Sequence, residues 1–192
     1  MFPTAEAKRV LNSIPVIIIN ASHQVGPPTP MELFAVVDVT KLIEYNKAVR
    51  HRYLDALEKL PWDEFVKNRE ASWYSMRNIF VHTLNAIDYW LDFLNDEESQ
   101  PRKEFDDYKS FKDVKDRMEY VEARMRKYLN SLTPTGLMEK HSVTDNADQK
   151  VDVTAEDVLV HVFEEEVHHR GELIALLWQM NVEPPLMGWK NL

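Results

Sequence analysis

Along four long stretches of this chain, apolar residues return every three to four positions, and that spacing belongs to helices packed by one face. The first stretch covers about 39–59, with Leu42, Tyr45, Val49, Tyr53, Leu54 and Leu57 as its apolar stripe. Thr40 or Asp38 is placed to cap it and Pro61 to stop it. The second covers about 72–95, carrying Trp73, Met76, Phe80, Leu84, Ile87, Leu91 and Leu94. The third covers about 110–132, with Phe111, Val114, Met118, Val121, Met125 and Leu129 facing inward. The fourth opens at Thr154-Ala155-Glu156-Asp157, a capping box with Asp at its last position, and runs to about Met180. Four glycines against ten prolines suit long helices joined by loops. The expected class is all-α, a four-helix bundle.

Between these stretches the chain is punctuated. Pro61-Trp62-Asp63-Glu64-Phe65 opens a short helical turn, with proline at its tolerated first position. The region 133–152 reads as irregular, with a brief extended piece at Val151-Asp152-Val153. Residues 1–37 read as an extension: a short helix over 4–11, an apolar β-branched run, then the Gly26-Pro27-Pro28-Thr29-Pro30 linker. The extension packs on the bundle or on another subunit, so a homodimer is among the expectations. Residues 38–192 form the bundle domain.

The composition excludes several functions. The chain has no cysteine, which removes disulfides, Cys-based zinc sites and a Cys nucleophile. A formal charge of −9, with no face of arrayed Lys and Arg, argues against nucleic acid as a partner. The start lacks a basic region and the run Ile14-Pro15-Val16-Ile17-Ile18-Ile19 is too short for a signal peptide. No stretch is long enough to span a bilayer, so no membrane partner is expected, and the expected compartment is the cytoplasm.

Chemistry concentrates in the fourth helix. Between His161 and Glu172 lie three of the seven histidines and four carboxylates. Positions 161, 165 and 169 are four apart, about 40° round the axis and about 6 Å along it per step. Glu165 and His169 can therefore point at one spot, beside the apolar stripe of Val158, Val162, Leu173 and Leu176. A carboxylate and an imidazole partly removed from water there need a partner or a metal. A solvated helix face explains the cluster alone equally well. His82, inside the apolar run Ile79-Phe80-Val81-His82-Thr83-Leu84, changes that balance, because a bundle can set the second helix against the fourth. The expected ligands are His82, Glu165 and His169, three protein groups that leave positions open on the ion, as reactive sites do. A ferritin-like dinuclear site is disfavoured, since Ile79 and not Glu stands three residues before His82.

On these residues the chain resembles the DinB-like superfamily of metal-binding bundles over about 38–190. His161 to Glu172 is similar to that family's His-x-x-x-His-x-x-x-His-Arg-Gly-Gln stretch. His82 followed by Asp88 and Trp90, the Tyr45-Asn46 pair and the closing Glu183-Pro184-Pro185 fit as well. The resemblance implies a divalent ion, zinc or nickel, on His82, Glu165 and His169. Glu165 stands where the family has His, and Glu172 where Gln is common. A carboxylate in the set admits iron(II) or manganese. Glu165 and Glu172 are the carboxylates expected to serve catalysis. Glu165 is a ligand or, when not a ligand, a general base beside bound water. Glu172 or His168 orients a ligand from behind. A site shifted along the helix would use His161 or His168 instead. The resemblance further implies a thiol S-transferase, like the bacillithiol- and mycothiol-dependent members, or another metal-dependent enzyme, with a small molecule, such as a low-molecular-weight thiol, as substrate. A non-catalytic metal-binding or interaction bundle is the alternative. Trp73, Tyr89 and Trp90 are expected in the core or along an apolar pocket.

Overall fold

The computed structural model describes residues 38–144 and 148–188. The helix and apolar run expected within residues 1–37 lie outside the described residues. So does Trp189.

Four long helices carry the fold: α1 (Val39–Leu57), α3 (Met76–Leu94), α4 (Phe111–Ser131) and α6 (Ala155–Gln179). Two short ones, α2 (Trp62–Val66) and α5 (Pro134–Leu137), follow α1 and α4. A 3₁₀ turn, Phe105–Asp107, lies between α3 and α4. Around the bundle α1 packs on α6, α6 on α3, α3 on α4 and α4 on α1. Among the described residues, no helix is long and apolar enough to cross a membrane.

Each long helix begins at a side chain that accepts one of its free N–H groups. Asp38 accepts from Thr40 N at 3.0 Å, Ser75 from Asn78 N at 3.1 Å and Ser110 from Asp113 N at 3.3 Å. At α6 the box is reciprocal: Thr154 Oγ1 accepts from Asp157 N at 3.1 Å, and Asp157 Oδ2 accepts from Thr154 N at 2.8 Å.

The core is the sum of the four apolar stripes. Tyr53, Leu57, Ile79, Leu84, Leu91, Met118, Leu159 and Leu177 are among its fully enclosed side chains. Ile43, outside the stripe read for the first helix, is also buried.

Two boundaries differ from the sequence reading. The second helix starts at Met76, because Ser75 takes the cap, so Trp73 belongs to the preceding loop and not to the helical stripe. The region 133–152 is more ordered than expected. Strands β1 (Lys140–Thr144) and β2 (Lys150–Thr154) form an antiparallel hairpin with Val143 opposite Val151. β2 passes directly into α6, so Thr154 is both a strand residue and a helix cap.

Buried ion pairs fix the helices against one another. Arg50 of α1 takes Glu166 of α6 in a two-pronged contact, 2.9 Å on each prong, and reaches Glu122 of α4 at 2.7 Å. Burial works against the Arg50 charge, but the two carboxylates outweigh it and hold the guanidinium protonated. On the far side of α3, Arg124 of α4 contacts Asp88 and lies 2.7 Å from Asp92. Arg117 reaches Asp88 at 2.8 Å, and Arg102 reaches Asp92 at 2.7 Å. These pairs set the lateral and axial position of α3 and α6, the two helices that bear the candidate ligands.

Candidate metal centre

The packing of α3 against α6 brings His82, Glu165 and His169 to one point. Glu165 Oε1 lies 3.1 Å from His82 Nε2 and 3.0 Å from His169 Nε2. One oxygen and two imidazole nitrogens converge, and each pair of these donor atoms is within 4.8 Å. Glu165 and His169 are buried and His82 is partly so. The step of four along α6 stacks Glu165 and His169 on one face, as the sequence required.

The run Glu164-Glu165-Glu166 shows how helix geometry sorts like residues. Successive side chains turn by about 100°. Glu164 is exposed, Glu165 turns to His82, and Glu166 turns to Arg50 of α1. Glu166 is thereby occupied away from the imidazoles. The Glu-x-x-His spacing of Glu166 and His169 therefore builds no second metal position.

The carboxylates behind the site order it. Glu172 Oε2 accepts from His169 Nδ1 at 2.7 Å. This bond fixes the proton on Nδ1 and leaves Nε2 aimed at Glu165, the arrangement that precedes metal ligation by histidine. The Ser72 side chain lies on the Glu172 carboxyl and helps to lower it.

Electrostatics follow from these contacts. Burial alone would raise the Glu165 carboxyl, but hydrogen bonds from His169 and His82 outweigh it and hold it far below the usual carboxylate range. Burial opposes a charge on His169, yet its bonds to Glu165 and Glu172 prevail and push it up to about 9. For His82 burial prevails, and its protonation is depressed despite the Glu165 bond. Without an ion the trio is thus a carboxylate, an imidazolium and a neutral imidazole.

The donors fit a divalent ion. Bonds of about 2.0–2.1 Å place tetrahedral ligands about 3.3–3.4 Å apart and neighbouring octahedral ligands about 2.9 Å apart. The contacts of 3.0 and 3.1 Å fall between these values. Two imidazoles and one carboxylate suit zinc, nickel, iron(II) or manganese.

The other expected residues separate. His168 is exposed and pairs loosely with Glu172 at 3.9 Å. With His169 and Glu172 it forms a second, outward-facing donor group. His161 packs edge-on against Trp90, with centroids 5.1 Å apart, and takes no part in the trio. Tyr89 is largely exposed and is not a core residue. Trp73 lies face to face with His82, centroids 3.9 Å apart and planes 19° apart. Sequence reasoning placed Trp73 on a helix and missed this contact. Ser72 was missed too, because a loop residue that returns to the site has no periodic signal.

The fold has a counterpart among solved structures. A crystal structure of a DinB-like protein from Bacillus cereus superposes with a TM-score of 0.59 over 77% of this chain and 94% of that one. The two share 17% identity, so the likeness is one of fold. Comparison with curated proteins gives no match. The DinB family profile matches residues 33–190, most of the sequence. With that match, and a four-helix bundle in which the second and last long helices share a His/Glu donor group, the chain belongs to the DinB family.

Proposed function

We propose that this protein is a mononuclear metalloenzyme that holds one divalent ion on His82, Glu165 and His169 and activates a thiol or water nucleophile. The convergence of two Nε2 atoms on one Glu165 oxygen carries this reading. The ion is zinc or nickel, with iron(II) or manganese suited by the Glu165 carboxylate.

When bound, the ion supplies Lewis acidity that lowers the pKa of a thiol or water beside it. The chain's own groups do the rest. His82 is held neutral by burial, and its Nε2, which donates to Glu165 at 3.1 Å, is the nitrogen that would give up that proton's place to an ion. Glu165, ionised over the whole physiological range, offsets the charge of the ion. Glu172 keeps the His169 ring in one tautomer and orientation through the Nδ1 bond. Three protein donors leave positions free for substrate. With a small thiol as nucleophile, the reaction is attack of its sulfur on an electrophile, forming the new bond to sulfur as the electrophile's leaving group departs; with water it is hydrolysis.

A second reading is a bundle without turnover. It draws on the trio's mutual hydrogen bonds, which satisfy all three groups with no ion present. The readings part in a screen of zinc- and nickel-loaded protein with small thiols and electrophiles. Thiol consumption that falls to background in His82→Ala and His169→Ala supports the enzyme. Tight metal retention with no turnover across the thiols, and none with hydrolysable esters, supports the second reading.

A further inference from the structure

The loop between α2 and α3 passes over the donor group and touches both of its imidazoles, one directly and one through a carboxylate. Trp73 covers the face of His82 at 3.9 Å between centroids, with the rings 19° from parallel. Its neighbour Ser72 sits beside Glu172 and helps to lower its carboxyl, and Glu172 in turn holds His169. Two adjacent residues thus serve ligands that come from two different helices.

The loop is built to hold this position. Glu70 and Tyr74, on either side of Trp73, occupy the left-handed region at φ 56° and 68°. Neither is glycine, and an aromatic residue there is rare. Such backbone persists where its surroundings determine it, and it gathers at functional sites. Here Arg69 N donates to Tyr74 O at 2.6 Å, closing the loop on itself. Asn68 Oδ1 accepts from Glu70 N at 2.9 Å. Arg69 is anchored to Glu64 of α2.

The indole is held by its faces. Trp73 Nε1 is buried with no hydrogen-bond partner among the described residues. Phe105 of the 3₁₀ turn backs it edge-on at 5.8 Å. An unpaired N–H is unfavourable to bury, so the ring's packing accounts for its place. Its near face is the one on His82, whose side-chain hydrogen bond among the described residues is the one to Glu165.

We infer that Trp73 is the positioning residue for His82: its ring face fixes the imidazole plane so that Nε2 stays turned toward Glu165, where it would meet the ion. This inference rests on the metal-binding reading above. It also assigns the left-handed turns at Glu70 and Tyr74 a purpose, which is to deliver the indole flat onto the imidazole.

The test is zinc affinity by chelator competition on the full chain, with circular dichroism as a check of fold. Trp73→Ala weakens zinc binding about ten- to hundredfold, the range found for groups that orient metal ligands. Trp73→Phe keeps an aromatic face and stays within about threefold of wild type. Trp73→Leu fills space without that face and loses affinity as alanine does, which decides the matter should the alanine variant fail to fold. Binding of Co²⁺ quenches tryptophan fluorescence in wild type, and Trp73→Phe removes the largest part of that quench. Equal zinc affinity in wild type, Trp73→Ala and Trp73→Leu overturns the inference, as does an undiminished quench in Trp73→Phe. Those results leave the metal site standing. A wild-type protein that holds no zinc or cobalt overturns the site and this inference together.

Discussion

Glu165 and Glu166 are adjacent in sequence and serve opposite sides of α6: Glu165 meets His82 and His169, and Glu166 clamps Arg50 of α1. The first builds chemistry, and the second holds the helix that presents it.

That division predicts different consequences for the two carboxylates. Glu166→Ala leaves Arg50 buried beside Glu122 alone, and breaking a buried pair by removing one partner costs about 3–5 kcal/mol. The loss is read from urea denaturation. Replacing the pair together, as Arg50→Met with Glu166→Leu, recovers most of it. Glu165→Gln loses the metal, and in the metal-free protein it also lowers stability near neutral pH, because the His169 charge is then met by Glu172 alone.

Glu172→Gln tests the orienting role. It leaves Nδ1 of His169 without its carboxylate, so zinc affinity falls about ten- to hundredfold while the melting temperature moves little. Equal affinity in the two proteins would remove Glu172 from the site.

The metal-free protein has a pH signature. His169 is raised from 6.5 to about 9 by its bonds to Glu165 and Glu172. The stability this contributes is complete below about pH 6.5 and is lost as pH climbs through 9. At about 1.4 kcal/mol per pKa unit the loss is on the order of 3 kcal/mol. Glu165 is lowered, so its share is present above pH 4.5 and disappears at strongly acidic pH. His82 is depressed and opposes folding below its ordinary 6.5. Denaturation in chelator at pH 6.5 and 9.5 measures the decline, and His169→Gln abolishes most of it. A flat profile in wild type contradicts the assigned ion pair.

Thr154→Ala removes the side-chain acceptor at the start of α6 and costs about 1 kcal/mol. Asp157→Ala removes the reciprocal half of the same box and costs a similar amount. Both are read from thermal melts.

Much of this architecture was legible because it is periodic. The helices at 39 and 154 begin within a residue or so of where their caps place them, since Asp38 and Thr154 are strong local signals. Glu165 and His169 were legible for the same reason, a fixed step along one helix. His82 needed a second inference, that its helix packs on the last one, which four amphipathic stripes permit but do not dictate. What escaped is what lacks a period. Trp73 falls in register with the second stripe, so spacing alone put it on the helix, while Ser75 two residues later takes the cap. Of the hairpin, the second strand was legible at Val151-Asp152-Val153, while its partner Lys140–Thr144 escaped because alternation over five residues is too short to stand out. The burial of Arg50 and Glu166 was hidden, since a charge on a helix looks the same whether it meets water or a partner 116 residues away.

Elemental analysis of the purified full chain, beside His82→Ala, Glu165→Ala and His169→Ala, is the most direct check on the shared donor group. The expected result is close to one divalent ion per wild-type chain and a small fraction of that in each variant, with helical content retained. Equal metal content in all four proteins, or none in wild type after loading with zinc and nickel, would contradict it.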